Sequence, residues 1–298
     1  MEDTRLLSPL AATHGPAAIV VGASMLGLLL VHRAGPMAGN WRPWVLGPVL
    51  ALTLGFAGRI WQRSGRVVAW ARLWSVVVAF TITQAFLLTA VAWKVAIPSW
   101  RGFVWDARLA AADMMLHGGV TPDHFLRWVP LTAMDRFYLG WFAVFALMTA
   151  WQAWELNGRY FTAMAVLWTA LGAGLGTLVA SAGPCYLEFV TGSPLYHPLM
   201  AHLDGHGLTA RQLQETLWLA YRGRRTGIVA GISAFPSMHV AVPALYTLAI
   251  PRWRVLTVPF LLLTLVGSVA LGWHYAIDGY AAVLGAGLCW WLAAPLHP

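Results

Sequence analysis

Two histidines and one aspartate in the last third of the chain sit where ionisable groups are costly. His239 lies in Ala234-Phe-Pro-Ser-Met-His-Val240, near the start of a long apolar run. His274 and Asp278 lie in Gly272-Trp-His-Tyr-Ala-Ile-Asp278, at the junction of two more such runs. Ionisable groups in apolar spans are expensive and usually functional. Residues four apart share a helix face, so the spacing predicts that Asp278 accepts a hydrogen bond from one ring nitrogen of His274. That bond fixes the tautomer and leaves the other nitrogen as a nucleophile. His239, if close, can protonate a leaving alkoxide and later take a proton from an incoming hydroxyl. A nucleophile with an acid–base partner is what covalent phosphoryl transfer needs, with no metal and no other cofactor. The bland alternative is that the three residues pair inside a helix bundle.

The elements that must position them are membrane helices. The chain is 59% hydrophobic and only 10% charged, against roughly a quarter charged in a soluble domain. Eight uncharged runs stand out, at 11–32, 43–58, 73–93, 137–154, 160–187, 226–251, 255–273 and 279–296. A spanning helix needs about 20 apolar residues, and in lipid each backbone amide must be satisfied within its own segment. The expected fold is all-α, a polytopic transmembrane helix bundle. Residues 1–72 read as an N-terminal hairpin with a following loop, and 73–298 as the catalytic core. Two connections are long enough to fold outside the bilayer. Residues 94–136 mix aromatic and charged groups in a way that suits short interfacial helices, and 188–225 form a polar loop.

Charge sets the orientation. Arg59, Arg63, Arg66 and Arg72 follow the second run, Arg159 the fourth, and Arg252 and Arg254 the sixth. With eight spans these loops share one side with both termini, and the positive-inside rule makes that side cytoplasmic. Arg33 and Arg42 oppose the trend but are outnumbered. The start of the sixth run and the end of the seventh then share the outer face, which puts both imidazoles and the carboxylate at one depth. Glu2 and Asp3 make a poor signal-peptide start, so the first run is expected to be retained. The net charge of +8 reflects scarce acids; Lys94 is the only lysine, and no basic block suggests nucleic acid.

Phe235-Pro-Ser-Met-His239 and His274-Tyr-Ala-Ile-Asp278, in this order, resemble the second and third motifs of the type-2 phosphatidic acid phosphatase superfamily. The closer likeness is to its inositol phosphorylceramide synthase-like branch, where those motifs read Phe-Pro-Ser-x-His and His-Tyr-x-x-Asp. The resemblance implies a six-helix core, here from about residue 120 onward, with the N-terminal hairpin as an addition. It implies His274 as the phosphate-accepting nucleophile, Asp278 as its orienter, His239 as acid and base, and Ser237 beside the phosphate. The implied substrate is a lipid phosphate or phosphoinositide in the bilayer. Two departures stand out. The superfamily's Arg six residues before the nucleophile is Ser268 here, and Ser181-Ala-Gly-Pro-Cys-Tyr-Leu187 occupies the first motif's place without its Lys or Arg. A phosphate dianion in a low-dielectric site needs positive partners. Arg222, Arg224 and Arg225, just before the sixth run, are candidates by position, although a headgroup-binding loop explains them equally.

Other features read as structure. His197, His202, Asp204 and His206 have spacings zinc could use, but polar loops collect such residues and no metal is expected. Gly172, Gly174 and Gly176 suit close helix contact. Cys185 and Cys289 read as small buried hydrophobes, and the many tryptophans near run ends suit an aromatic belt. A metal-dependent CDP-alcohol phosphotransferase would need clustered carboxylates, which the last five runs lack. A transporter or channel with His274 and Asp278 as a proton relay would be marked by inverted repeats, and none is evident. The active site is expected on the periplasmic face of a bacterial inner membrane.

Overall fold

A computed structural model describes Gly15, residues 67–223 and residues 231–297. The first two apolar runs, Arg59, Arg63, Arg66, Arg224 and Arg225 lie outside the described residues. Among those described there are helices and no strand. Ten α-helices run in order: α1 (Val67–Arg101), α2 (Asp106–Leu116), α3 (Leu131–Trp154), α4 (Gly158–Leu178), α5 (Leu187–Thr191), α6 (His197–Asp204), α7 (Thr209–Arg222), α8 (Met238–Ala249), α9 (Arg254–Ala270) and α10 (Ala276–Ala293). Four of them are long and apolar enough to cross a bilayer: α3, α4, α9 from Pro251, and α10 on to Leu296. This is the architecture of an integral membrane protein.

Two expected spans are shorter than the apolar runs that suggested them. Among the described residues of the run 226–251, which begin at Gly231, the helix starts at Met238; residues 231–234 have no regular structure and the chain bends before α8. The run 160–187 leaves the helix after Leu178, and residues 180–183 run irregularly to a 3₁₀ turn at Pro184. Hydropathy cannot see either break, because both irregular stretches are apolar. Their polar backbone groups find partners elsewhere in the protein: Ala234 N–H donates to Ser181 O (2.9 Å), and Ala182 and Gly183 N–H donate to the Asp106 carboxylate (both 2.8 Å). Irregular backbone at membrane depth is tolerated where protein buries it in this way.

Two compact units divide the chain. In the described part of one (up to Ala90, Phe142–Thr169 and from Cys289), Asn157 caps α4 by accepting from Tyr160 N–H at 3.1 Å. Arg159 lies 4.0 Å from the Trp290 ring centre and donates to the Trp290 carbonyl. The other unit, Val91–Trp141 with Ala170–Leu288, contains all three residues singled out for chemistry. Its core gathers Leu109, Ala110, Met134, Tyr138, Leu187, Leu199, Leu203, Leu271 and Tyr275.

Three aspartates pin this second unit together, each by gripping two successive backbone amides. Asp106 accepts from Ala182 and Gly183 N–H, both at 2.8 Å, and from the Tyr275 hydroxyl at 3.0 Å. Asp113 accepts from Ala276 and Ile277 N–H, both at 3.0 Å, and so caps α10. Asp135 accepts from Thr209 and Ala210 N–H, both at 2.9 Å, and caps α7. The first amides of a helix have no partner within it and carry positive potential, which is why a buried carboxylate can reside there. The segment 94–136 continues α1 as far as Arg101 and then forms α2. Asp106, Leu109, Ala110 and Asp113, at helical spacing, are its buried residues, while Val104, Met115, Phe125 and Trp128 in the same stretch are exposed.

Candidate active site

The three motif stretches meet through their backbones. Ala234 N–H bonds to Ser181 O, Phe235 N–H to Ser181 Oγ (3.1 Å), and Ser237 N–H to Asp278 O (3.1 Å). Gly183 is the tightest point of this junction. Its φ of +101° belongs to glycine, and a Cβ there would lie 2.6 Å from Trp273 O and 3.1 Å from Ala234 Cβ. On α4, a Cβ at Gly172 would touch the Met238 side chain and one at Gly176 the Phe235 carbonyl. These two glycines do serve close packing, and what they pack against is the stretch that carries His239.

His274 sits in the turn between α9 and α10, 8% exposed. Its amide and that of Trp273 donate to Ser268 O. Ser268, in the place of the superfamily's Arg, gives its hydroxyl to Leu265 O. The ring does not bond to Asp278 as the spacing suggests. Its Nδ1 donates to Ala234 O at 2.8 Å, and Asp278 Oδ2 stands 3.5 Å from the same nitrogen. The cause is local: α10 begins at Ala276, so residues 274 and 278 are not on one helix face. Asp278 Oδ2 accepts the Tyr275 amide at 3.0 Å, while Oδ1 is buried with no hydrogen-bond partner among the described residues. A carbonyl can only accept, so the proton resides on Nδ1 and Nε2 carries a lone pair. Burial pushes the His274 imidazole down to about 3; the Lys94 charge acts in the same direction, and the bond to Ala234 opposes it.

His239 opens the first turn of α8. Its ring stacks on Tyr138 (centres 5.0 Å apart) and leans on Trp141 (4.6 Å), whose indole N–H holds the His239 carbonyl at 3.0 Å. The two imidazole centres are 6.5 Å apart. Ser237 is fully buried, and its hydroxyl has no hydrogen-bond partner among the described residues. Arg222, at the end of α7, is exposed. It lines a groove of about 770 Å³ with Cys185, Arg211, Gln214 and Trp218.

Sequence reasoning passed over several residues here. Lys94, the lone lysine, packs against Gly231 in the stretch that leads to His239. Asp106 and Asp113 were placed in an interfacial segment, although their spacing of seven already puts them on one helix face with Leu109 and Ala110. Burial raises both carboxyls above the ordinary carboxylate range, against the pull of the amides they accept from. Their oxygens are occupied by those amides, and among the described residues no group of three His, Cys, Asp or Glu is placed to hold a metal ion. His197 instead contacts Glu188 at 3.2 Å, and Asp204 pairs with Arg211 at 2.7 Å.

Residues 126–292, more than half of the 298, match the PAP2 superfamily. The chain belongs to the PAP2 superfamily. No curated protein and no solved structure matched the chain. Members of this superfamily are phosphatases and phosphotransferases, and membership supports an enzyme of that type. The matched stretch holds His239, His274 and Asp278 and stops short of α1 and α2.

Proposed function

We propose that this PAP2 protein moves a phosphoryl group from a membrane lipid by way of a phosphohistidine on His274, without a metal. The observation that carries the reading is the 2.8 Å bond from His274 Nδ1 to Ala234 O. It commits the proton to Nδ1 and leaves the Nε2 lone pair for phosphorus. In the first step Nε2 attacks phosphorus and the P–O ester bond breaks. The alkoxide takes a proton from His239, whose protonated form the bound phosphate anion must stabilise against the burial that favours the neutral ring. The ring of His274, now carrying both phosphorus and a proton, is cationic, and the Asp278 carboxylate 3.5 Å away offsets that charge. In the second step His239 takes a proton from water or an alcohol, whose oxygen attacks phosphorus and breaks the N–P bond. Ser237 offers its hydroxyl to a phosphate oxygen. With water the protein is a lipid phosphatase. With an alcohol it is a headgroup transferase, and the Phe-Pro-Ser-x-His form of the second motif and the missing basic residues favour that branch, resembling inositol phosphorylceramide synthases. The site faces the outer side of a bacterial inner membrane in this reading.

The test uses detergent-purified protein in chelator with a panel of lipid phosphates and phosphoinositides, following both released phosphate and new lipid products. Wild type is expected to turn over one class, and His274→Ala to lose at least about a thousandfold in rate. Turnover that survives His274→Ala, or that vanishes in chelator, rejects the mechanism.

A further inference from the structure

The first motif has lost its basic residues and Ser268 replaces the second Arg, yet a phosphate dianion away from bulk water needs a cation. The protein's only lysine packs against the backbone that leads into this site. Lys94 lies near the end of α1, outside the stretch matched to the superfamily. It is held against the loop that carries the second motif. A Cβ at Gly231 would come within 2.6 Å of Lys94 Cβ and 2.9 Å of its carbonyl carbon, so the two backbones nearly touch, and only glycine permits it. Eight residues further on is His239. The Lys94 charge acts on the rings of both His239 and His274. Among the described residues no carboxylate lies within ion-pairing distance of Lys94. The residue as a whole is half-buried, while burial withdraws its ammonium from water and lowers its pKa below the ordinary lysine value.

A cation withdrawn from water is costly unless an anion or hydrogen bonds compensate it. Asp278, buried near His274 Nδ1, has other work. We propose that the Lys94 ammonium is the phosphate-binding cation of this enzyme, contacting the non-bridging oxygens of the substrate phosphate and of the phosphohistidine, in the role the first motif leaves vacant. Two features set this apart from a structural lysine: its tight packing against Gly231, three residues before the Ala234 carbonyl that holds His274, and the lack of an acidic partner among the described residues. The inference rests on the phosphoryl-transfer reading above and adds to it a residue that the superfamily's motifs do not contain.

The experiment compares wild type, Lys94→Met, Lys94→Arg and His274→Ala, each purified in detergent and checked for monodispersity. Three quantities are read: kcat/KM on dioleoyl phosphatidate, inhibition by orthovanadate, and the thermal midpoint with and without inorganic phosphate. Lys94→Met is expected to lower kcat/KM about a hundredfold and to weaken orthovanadate at least about tenfold. Its midpoint without phosphate should equal or exceed that of wild type, because an unpaired charge has been removed. Phosphate should raise the midpoint of wild type and not of Lys94→Met, and Lys94→Arg should recover part of each loss. If Lys94→Met keeps wild-type orthovanadate inhibition while His274→Ala is inactive, the Lys94 assignment is overturned and phosphoryl transfer stands. A lowered midpoint in both Lys94 variants, with activity lost in proportion, makes the lysine structural and overturns it too. A fully active His274→Ala, or a wild type that neither binds these anions nor hydrolyses phosphatidate, removes the mechanism and Lys94 with it.

Discussion

At the scale of single residues, the site is organised by what each hydrogen-bond donor is given to hold. His274 spends Nδ1–H on a backbone carbonyl, so its tautomer depends on the fold and not on the charge state of Asp278. The pH dependence follows from the same burial. Folded His274 stays neutral down to about 3, whereas an unfolded imidazole takes up a proton near 6.5. Between those values the unfolded chain binds the extra proton, so this residue's contribution is full above pH 6.5 and is lost as pH falls through the window. The loss runs at up to about 1.4 kcal/mol per pH unit. Thermal midpoints of detergent-purified wild type and His274→Gln, followed from pH 7.5 to 4.5, should therefore show a steeper fall for wild type. Parallel curves would mean that His274 is not buried in the way described.

At the scale of elements, the site is a junction of chain breaks. The stretches 180–183, 231–237 and 271–275 are the non-helical parts of apolar runs, and they bond to one another instead of continuing their helices. The reliance on Gly183 is testable. Gly183→Ala combines a left-handed backbone cost of about 1–3 kcal/mol with an overlap against Trp273 O, and relief must displace the turn that holds His274. Gly207 has φ of +60° and nothing within 4 Å of an added Cβ. Gly207→Ala should thus show comparable strain with normal turnover, whereas Gly183→Ala should lose roughly a hundredfold while still running as a monodisperse species. Equal turnover in the two would show that this close approach does not position the nucleophile. The sequence made the helices legible because lipid demands long apolar runs, and it made His239, His274 and Asp278 legible because ionisable groups are rare there. It hid the breaks, since Ala-Gly-Pro and Ile-Ser-Ala-Phe are as apolar as the helices beside them. It also hid the true partner of His274, because a backbone carbonyl has no signature in a sequence, and it hid the packing of Lys94 against Gly231, because that is a tertiary fact.

At the scale of the whole molecule, charge and catalysis have to agree on a side of the membrane. The short loop between α3 and α4, residues 155–157, precedes Arg159, and the turn between α8 and α9 carries Arg252 and Arg254. In the orientation proposed from the positive-inside rule, both are cytoplasmic. The helices α5, α6 and α7 follow the α4 span and precede the residues that lead into His239, so in the proposed orientation they and the site belong to the opposite face. Both native cysteines are buried, which leaves a quiet background for labelling. Glu155 and Gln212 are exposed, the first in the α3–α4 loop and the second on α7. In intact bacterial cells, a membrane-impermeant maleimide should label Gln212→Cys and should reach Glu155→Cys only after the membrane is permeabilised. The reverse pattern would turn the molecule over and put phosphoryl transfer on the cytoplasmic leaflet. Labelling of both in intact cells would mean that α3 and α4 do not have the arrangement the arginines imply. The orientation matters for chemistry as well as for placement, because only lipids presented in the outer leaflet could then bring their phosphate to His274.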